Sequence, residues 1–177
     1  MEITGWITLA AVLVALGIGV SSLIQTNKLK KAEKRERLLN EIIEWAVDVT
    51  KWRPKEIFKE MMNVSDTLKL QRLLYSHIIQ IMENFIETRG RNKYISDIAI
   101  KFDKNLGEAV DNLIDVLESK IELLDEWKSI IANATTKGED ANDEQYFQKA
   151  EEHENLIEKL ALKVIEEATK IKTRDIS

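Results

Sequence analysis

Hydrophobic and polar positions alternate along this chain in two different ways. Residues 3–27 carry no charge, and positions 9–20 read LAAVLVALGIGV, apolar on every face. From Leu38 onward, apolar residues recur three and four apart. That period marks amphipathic helices, each with one face to bury.

The first pattern predicts a membrane helix. About 20 apolar residues at ~1.5 Å each cross a hydrocarbon layer of roughly 30 Å, and residues 3–24 are long enough. A cleavable leader opens with positive charge. This chain opens Met-Glu-Ile-Thr, and its basic cluster comes afterwards: Lys28, Lys30, Lys31, Lys34, Arg35 and Arg37. Lys and Arg stay on the cytoplasmic side. The expectation is an uncleaved, single-pass anchor in the cell membrane, with the N-terminus outside and the C-terminal domain cytoplasmic. Residues 1–27 form the anchor, 28–37 a basic neck at the membrane surface, and 38–177 a helical bundle domain. Trp6 falls at the outer interface, where indoles concentrate. Ala11, Ala15 and Gly19 recur every four residues, a small-residue face through which two membrane helices can associate.

The second pattern predicts the bundle. Leu38, Ile42, Trp45, Val49 and Trp52 form one stripe, and no Pro or Gly interrupts residues 20–53. The membrane helix can therefore run on into this stripe, until Pro54 ends or kinks it. A short continuation through Ile57, Phe58, Met61 and Met62 follows. Ser65 and Asp66 are cap candidates for the next helix, whose stripe is Leu70, Leu73, Leu74, His77, Ile78, Ile81 and Phe85. Gly90 reads as its stop, and residues 91–104 as a short separate helix. Asn105 with Glu108 resembles a capping box ahead of Leu106, Val110, Leu113, Leu117, Ile121, Leu124, Trp127 and Ile131. Residues 135–143, TTKGEDAND, read as a loop. Asn142 or Asp143 then caps a last helix with Phe147, Ala150, Ile157, Leu160, Ala161, Val164, Ala168 and Ile171 inward. Four long amphipathic helices with short connections predict an all-α fold, an antiparallel bundle behind a single transmembrane helix. An extended coiled-coil hairpin that dimerises is the alternative, because the last two stripes are nearly heptad.

Composition sharpens this picture. One proline and six glycines are too few for the turns of an all-β fold. Without cysteine there are no disulfides or thiolate metal sites. Residues 1–37 hold six Lys/Arg and three Glu, a net of +3. The rest of the chain holds 20 basic and 28 acidic residues, a net of −8. An acidic domain lacks the basic face that nucleic-acid binding needs.

Candidate chemistry is sparse. His77 lies inside an apolar stripe, as a packed core histidine does. His153 sits in the run Glu151 to Glu154 without the Glu-x-x-His spacing of a helical di-iron site, and that run reads as a solvated face. Glu139, Asp140, Asp143 and Glu144 lack the spacing of a calcium loop. Arg89, Arg91 and Lys93 read as a solvated turn. No Gly-rich phosphate loop or Gly-x-Ser-x-Gly elbow is present. A Ser–His–Asp set is compatible with the residue count, but it would have to use His77 or His153, and neither sits in a context that suggests it. The expectation is a protein that is not an enzyme, with no cofactor or metal, no nucleic acid and no small-molecule substrate. Its partners are the lipid bilayer and either another protein or a second copy. Trp45 and Trp52 are the candidate docking anchors, since Trp is enriched at interface hot spots. The reading is a membrane-anchored interaction or scaffold module. The alternative is a self-assembling membrane protein (a small pore, lysis-type or coat component) joined through its transmembrane helix.

Overall fold

The computed structural model describes residues 3–51, 67–139, 141 and 144–174, with side chains from residue 21 onward except at positions 67, 87 and 144. Among these the chain is all-helical, without strands. The helices are α1 (Ile3–Lys51), α2 (Thr67–Phe102), α3 (Lys104–Lys137) and α4 (Glu144–Arg174). Contacts divide the chain into two compact units, Met1–Leu38 and Leu39–Ser177.

In the first unit, every side chain from 21 to 37 is exposed. The six basic residues of the neck therefore stand in solvent on a helix. Among the described residues, no helix is long and apolar enough to cross a membrane. The span expected over residues 3–24 falls mostly on positions 3–20, whose side chains lie outside the description, as do Trp6, Ala11, Ala15 and Gly19. Trp52, Pro54, residues 57–62 and the caps expected at Ser65, Asp66, Asn142 and Asp143 also lie outside the described residues.

The second unit is an antiparallel bundle whose helices all use a heptad. Buried positions alternate three and four apart: 39, 42, 46 and 49 on α1; 71, 74, 78, 81 and 85, then 92, 95 and 99 on α2; 113 to 134 on α3; 150 to 171 on α4. That spacing keeps one seam of each helix facing its neighbours. Cross-links give the direction. Gln71 meets Thr135, Arg89 meets Glu118 and Ser96 meets Asp111, so α2 and α3 run antiparallel. Lys120 meets Glu154 and Trp127 meets Tyr146, so α4 returns along α3. Glu41, Trp45 and Asp48 meet Tyr94, Asn92 and Arg91, which sets residues 39–51 of α1 antiparallel to α2. α3 packs against both α2 and α4.

Three local expectations are corrected. Gly90 does not stop a helix. α2 runs through it for 36 residues, because the seam continues beyond it at Asn92, Ile95 and Ala99. Burying those residues outweighs the ~1 kcal/mol that a mid-helix glycine costs. Residues 91–104 are accordingly not a separate helix. The cap of α3 is Asp103 rather than Asn105: Asp103 is extended, and its carboxylate accepts from the Asn105 N–H at 2.8 Å. Asp103 is also the whole joint between two helices. Its N–H donates to the Ala99 carbonyl at 3.2 Å, and its carbonyl accepts from Gly107 at 3.0 Å. A Cβ at Gly107 would lie 2.7 Å from Ile100 Cγ1 and 3.1 Å from its Cα, so this tight reversal needs glycine there. Finally, α3 continues to Lys137, into the expected loop. Gly138, at φ 70°, ends it with two backbone bonds, Gly138 to Thr135 at 3.3 Å and Glu139 to Ala134 at 2.9 Å. That pair of bonds is the Schellman closure.

Candidate functional site

Among the described residues, four buried polar side chains interrupt the heptads: Gln71, Asn92, Lys120 and Glu154. Each stands where the repeat calls for an apolar residue. A buried polar group is tolerated only when it is hydrogen-bonded, so the partners decide what each one does.

Gln71 and Asn92 are fixed by neutral partners. The Gln71 amide donates to the Glu139 carbonyl at 3.1 Å and accepts from the Thr135 hydroxyl at 3.2 Å. It thereby ties the start of α2 to the closing turn of α3. Asn92 accepts from the Trp45 indole N–H at 3.1 Å. Trp45, one of the two expected docking anchors, is 1% exposed, and its polar atom is satisfied inside the bundle. Trp52 lies outside the described residues.

The charged pair lies between α3 and α4. Lys120 Nζ is 3.4 Å from Glu154 Oε1, with the two side chains 1% and 6% exposed. The ammonium also lies 5.5 Å from the centre of the Phe85 ring on α2, within cation–π range. Burial lowers the pKa of the Lys120 amine, while the charge and hydrogen bond of Glu154 oppose that shift. Glu154 is thus not part of a solvated face, unlike its neighbours Glu151 and Glu152. Ile121, expected on the seam, lies at its edge, and Lys120 takes the inward position.

One residue along from each member of the pair, Ser119 meets His153. Ser119 Oγ is 3.2 Å from Nε2, and Nδ1 is 2.8 Å from the Lys149 carbonyl. A carbonyl can only accept, so Nδ1 carries a proton, and in the neutral ring Nε2 then accepts from the Ser119 hydroxyl. This is the nucleophile–base–orienter order of a hydrolytic site. However, both residues lie mid-helix, where the backbone amides serve the helix ladder, so no free N–H faces a developing oxyanion. Of the two surface depressions described, one runs along the outside of α4 past Glu158, Leu162 and Glu166. The other lies among Arg72, Tyr75, Ala132 and Thr135. Neither includes Ser119 or His153.

No family model, curated protein or solved structure matches this chain.

His77 is half-buried on α2. Arg89 and Arg91 make exposed ion pairs with Glu118 and Asp48, at 3.5 and 3.8 Å, bridging α2 to α3 and to α1. Among the described residues, no group of three or more His, Cys, Asp or Glu could hold a metal ion. Asp140 and Asp143 lie outside the described residues. No buried polar side-chain atom among the described residues lacks a hydrogen-bond partner.

The buried pair has a sequence signal that the apolar stripe conceals. On α3 the run 113, 117, 120, 124, 127, 131, 134 is a strict heptad only if Lys120 is admitted. On α4 the run 150, 154, 157, 161, 164, 168, 171 is strict only if Glu154 is admitted. One cation and one anion at inward positions of consecutive helices predict a buried ion pair.

Proposed function

We propose that this chain is a single-pass membrane protein whose helical bundle acts as a non-enzymatic interaction or scaffold module in the cytoplasm. The carrying observation is the order of charge along the chain. An uncharged stretch, residues 3–27, is followed by six basic residues that all stand exposed on a helix, and then by an acidic bundle. Anionic lipid attracts each such Lys or Arg by ~1 kcal/mol near the surface, whereas an acidic domain is held off it.

The outward face of α3 suits a docking role. Glu108, Asp111, Asp115, Glu118, Glu122 and Asp125 are all exposed along it. Surface ion pairs with Lys104, Arg89 and Lys128 compensate part of this charge. A partner with a basic face would meet complementary potential there, which favours rapid and selective encounter.

Two experiments test the reading. Cysteine introduced at Thr4 or Asp175, in a chain with no native cysteine, reports topology through an impermeant thiol reagent on intact cells. Labelling at Thr4 alone is expected, and labelling at Asp175 alone would reverse the orientation. A photoreactive residue at Glu122 in native membranes then reports the partner. A crosslink to a different protein supports the module. Crosslinks only between copies would favour self-assembly, with Ala11, Ala15 and Gly19 as the positions to mutate next.

A further inference from the structure

The two sides of α3 are covered by seams of different make. α2 buries Leu74, Ile78, Ile81, Phe85, Ile95 and Ile98, with Ala99 and two neutral polar residues, Gln71 and Asn92. Between positions 150 and 168, α4 buries the small or charged Ala150, Glu154, Ala161 and Ala168 beside Ile157 and Val164, with Tyr146 and Ile171 at its ends. Hydrophobic stabilisation grows with the apolar area removed from water, and alanine contributes the least. The α4 seam also contains the ion pair, at a separation longer than the ~2.7–2.9 Å of a close charge-assisted bond. Two buried charges lose hydration that their mutual attraction often fails to return. On separation both recover it, so the pair favours the open seam in a way that two apolar residues in its place would not.

We propose that α4 is a detachable cover: its residues 150–171 undock from α3 together while its first turn stays anchored and α2 and α3 remain folded, and the Lys120–Glu154 pair keeps it both detachable and in register.

Register follows from the same geometry. If α4 slid by one heptad, Lys120 would face position 147 or 161, which are Phe and Ala. Each slipped state leaves two charges buried without partners. Only the native alignment pairs them, so a helix that leaves returns to one place. The attachments suit this behaviour. α3 ends at Lys137 and α4 begins at Glu144, whereas α2 and α3 share a single joint residue. The first turns of α4 stay anchored, because Trp127 stacks on Tyr146 at 6.0 Å and meets Phe147 edge-on at 4.8 Å. Its far end meets α1 through Lys172 and Asn40 at 3.2 Å and buries Ala168 and Ile171. Opening beyond the anchored turns uncovers Leu113, Leu117 and Leu124, with Lys120 in their midst.

Amide hydrogen exchange on the full chain in lipid nanodiscs tests this. In the wild type, amides of residues 150–171 are expected to exchange at least about tenfold faster than the slowest amides of α2 and α3. Lys120→Met with Glu154→Leu should slow α4 about tenfold or more and leave the α2–α3 amides unchanged. Exchange of α4 together with α2 and α3, in one global step, would overturn the proposal. So would a folded double variant in which α4 exchanges as fast as before or faster. The wild-type pattern judges undocking by itself, so the test stands even where the variant does not fold.

Discussion

Two helical hairpins share α3, and they are built by opposite means. The α2–α3 hairpin turns on one residue, Asp103, closes over a glycine that admits no Cβ, and fills its seam with Leu, Ile and Phe. In the α3–α4 hairpin, α3 ends at Lys137 and α4 begins at Glu144, and α4 lines the seam with three alanines and Ile157, Val164 and Ile171 around a charged pair. Both satisfy the same heptad geometry. The first gains strength from apolar area. The second gives up area for alignment, because charges that pair in only one register penalise every other. A heptad therefore tells where a helix faces, and the residues filling it tell how firmly the helix is held.

The strongest way to break the comparison is to remove one charge. Glu154→Leu leaves the Lys120 ammonium buried without its carboxylate and should lower stability by about 3–5 kcal/mol. Urea unfolding in micelles measures this, and a loss below about 1 kcal/mol would mean that water reaches the α3–α4 seam. Next comes the joint of the other hairpin. Gly107→Ala forces a methyl group against Ile100, including its backbone, and overpacking of this kind costs about 1–3 kcal/mol. Thermal unfolding should show it, and Ile100→Ala in the same chain should recover part of the loss.

A smaller effect is expected at the turn into α4. Gly138 adopts a left-handed conformation with nothing within 4 Å of an added Cβ, so Gly138→Ala tests backbone strain alone. It should cost roughly 1–2 kcal/mol. An unchanged midpoint would show that the turn can rearrange. The smallest effect has the opposite sign. Gly90 lies in the middle of α2, exposed and with open space around it. Gly90→Ala should stabilise the chain by about 0.5–1 kcal/mol. A loss there would mean that α2 bends at Gly90.

Much of the bundle was legible in the sequence because burial repeats. Leu74, Ile78, Ile81, Phe85, Leu113, Leu117, Leu124, Trp127, Ile157, Ala161 and Val164 all lie inside, as their spacing predicts. The misses have a common cause. Gly90 and Asn105 carry good local signals for a stop and a cap, but local signals are worth about 1 kcal/mol each. The buried seam on both sides of Gly90 outweighs the first, and Asp103, two residues earlier, takes the role of the second. Leu73 fits a helical stripe and yet is 40% exposed, because the true seam passes through Gln71 and Leu74. Lys120 and Glu154 were hidden because a stripe is read by following apolar residues. A charge inside it is passed over, although the unbroken spacing of three and four includes it. Trp45 was legible as part of a stripe, but its hydrogen bond to Asn92, 47 residues away, was not, because no local spacing relates the two.

Asp103 also bears on the order of events in folding. A reversal of one residue closes almost no loop, so contacts on either side of it form at little entropic cost. Pairs such as Ser96 with Asp111 meet early, and pairing then proceeds outward toward Gln71 and Thr135. Contacts of short sequence separation form fastest. During synthesis, this hairpin is complete once residue 139 has emerged, before any part of α4 is available to cover it. The nascent chain therefore displays the apolar flank of α3 for as long as the last helix takes to be made.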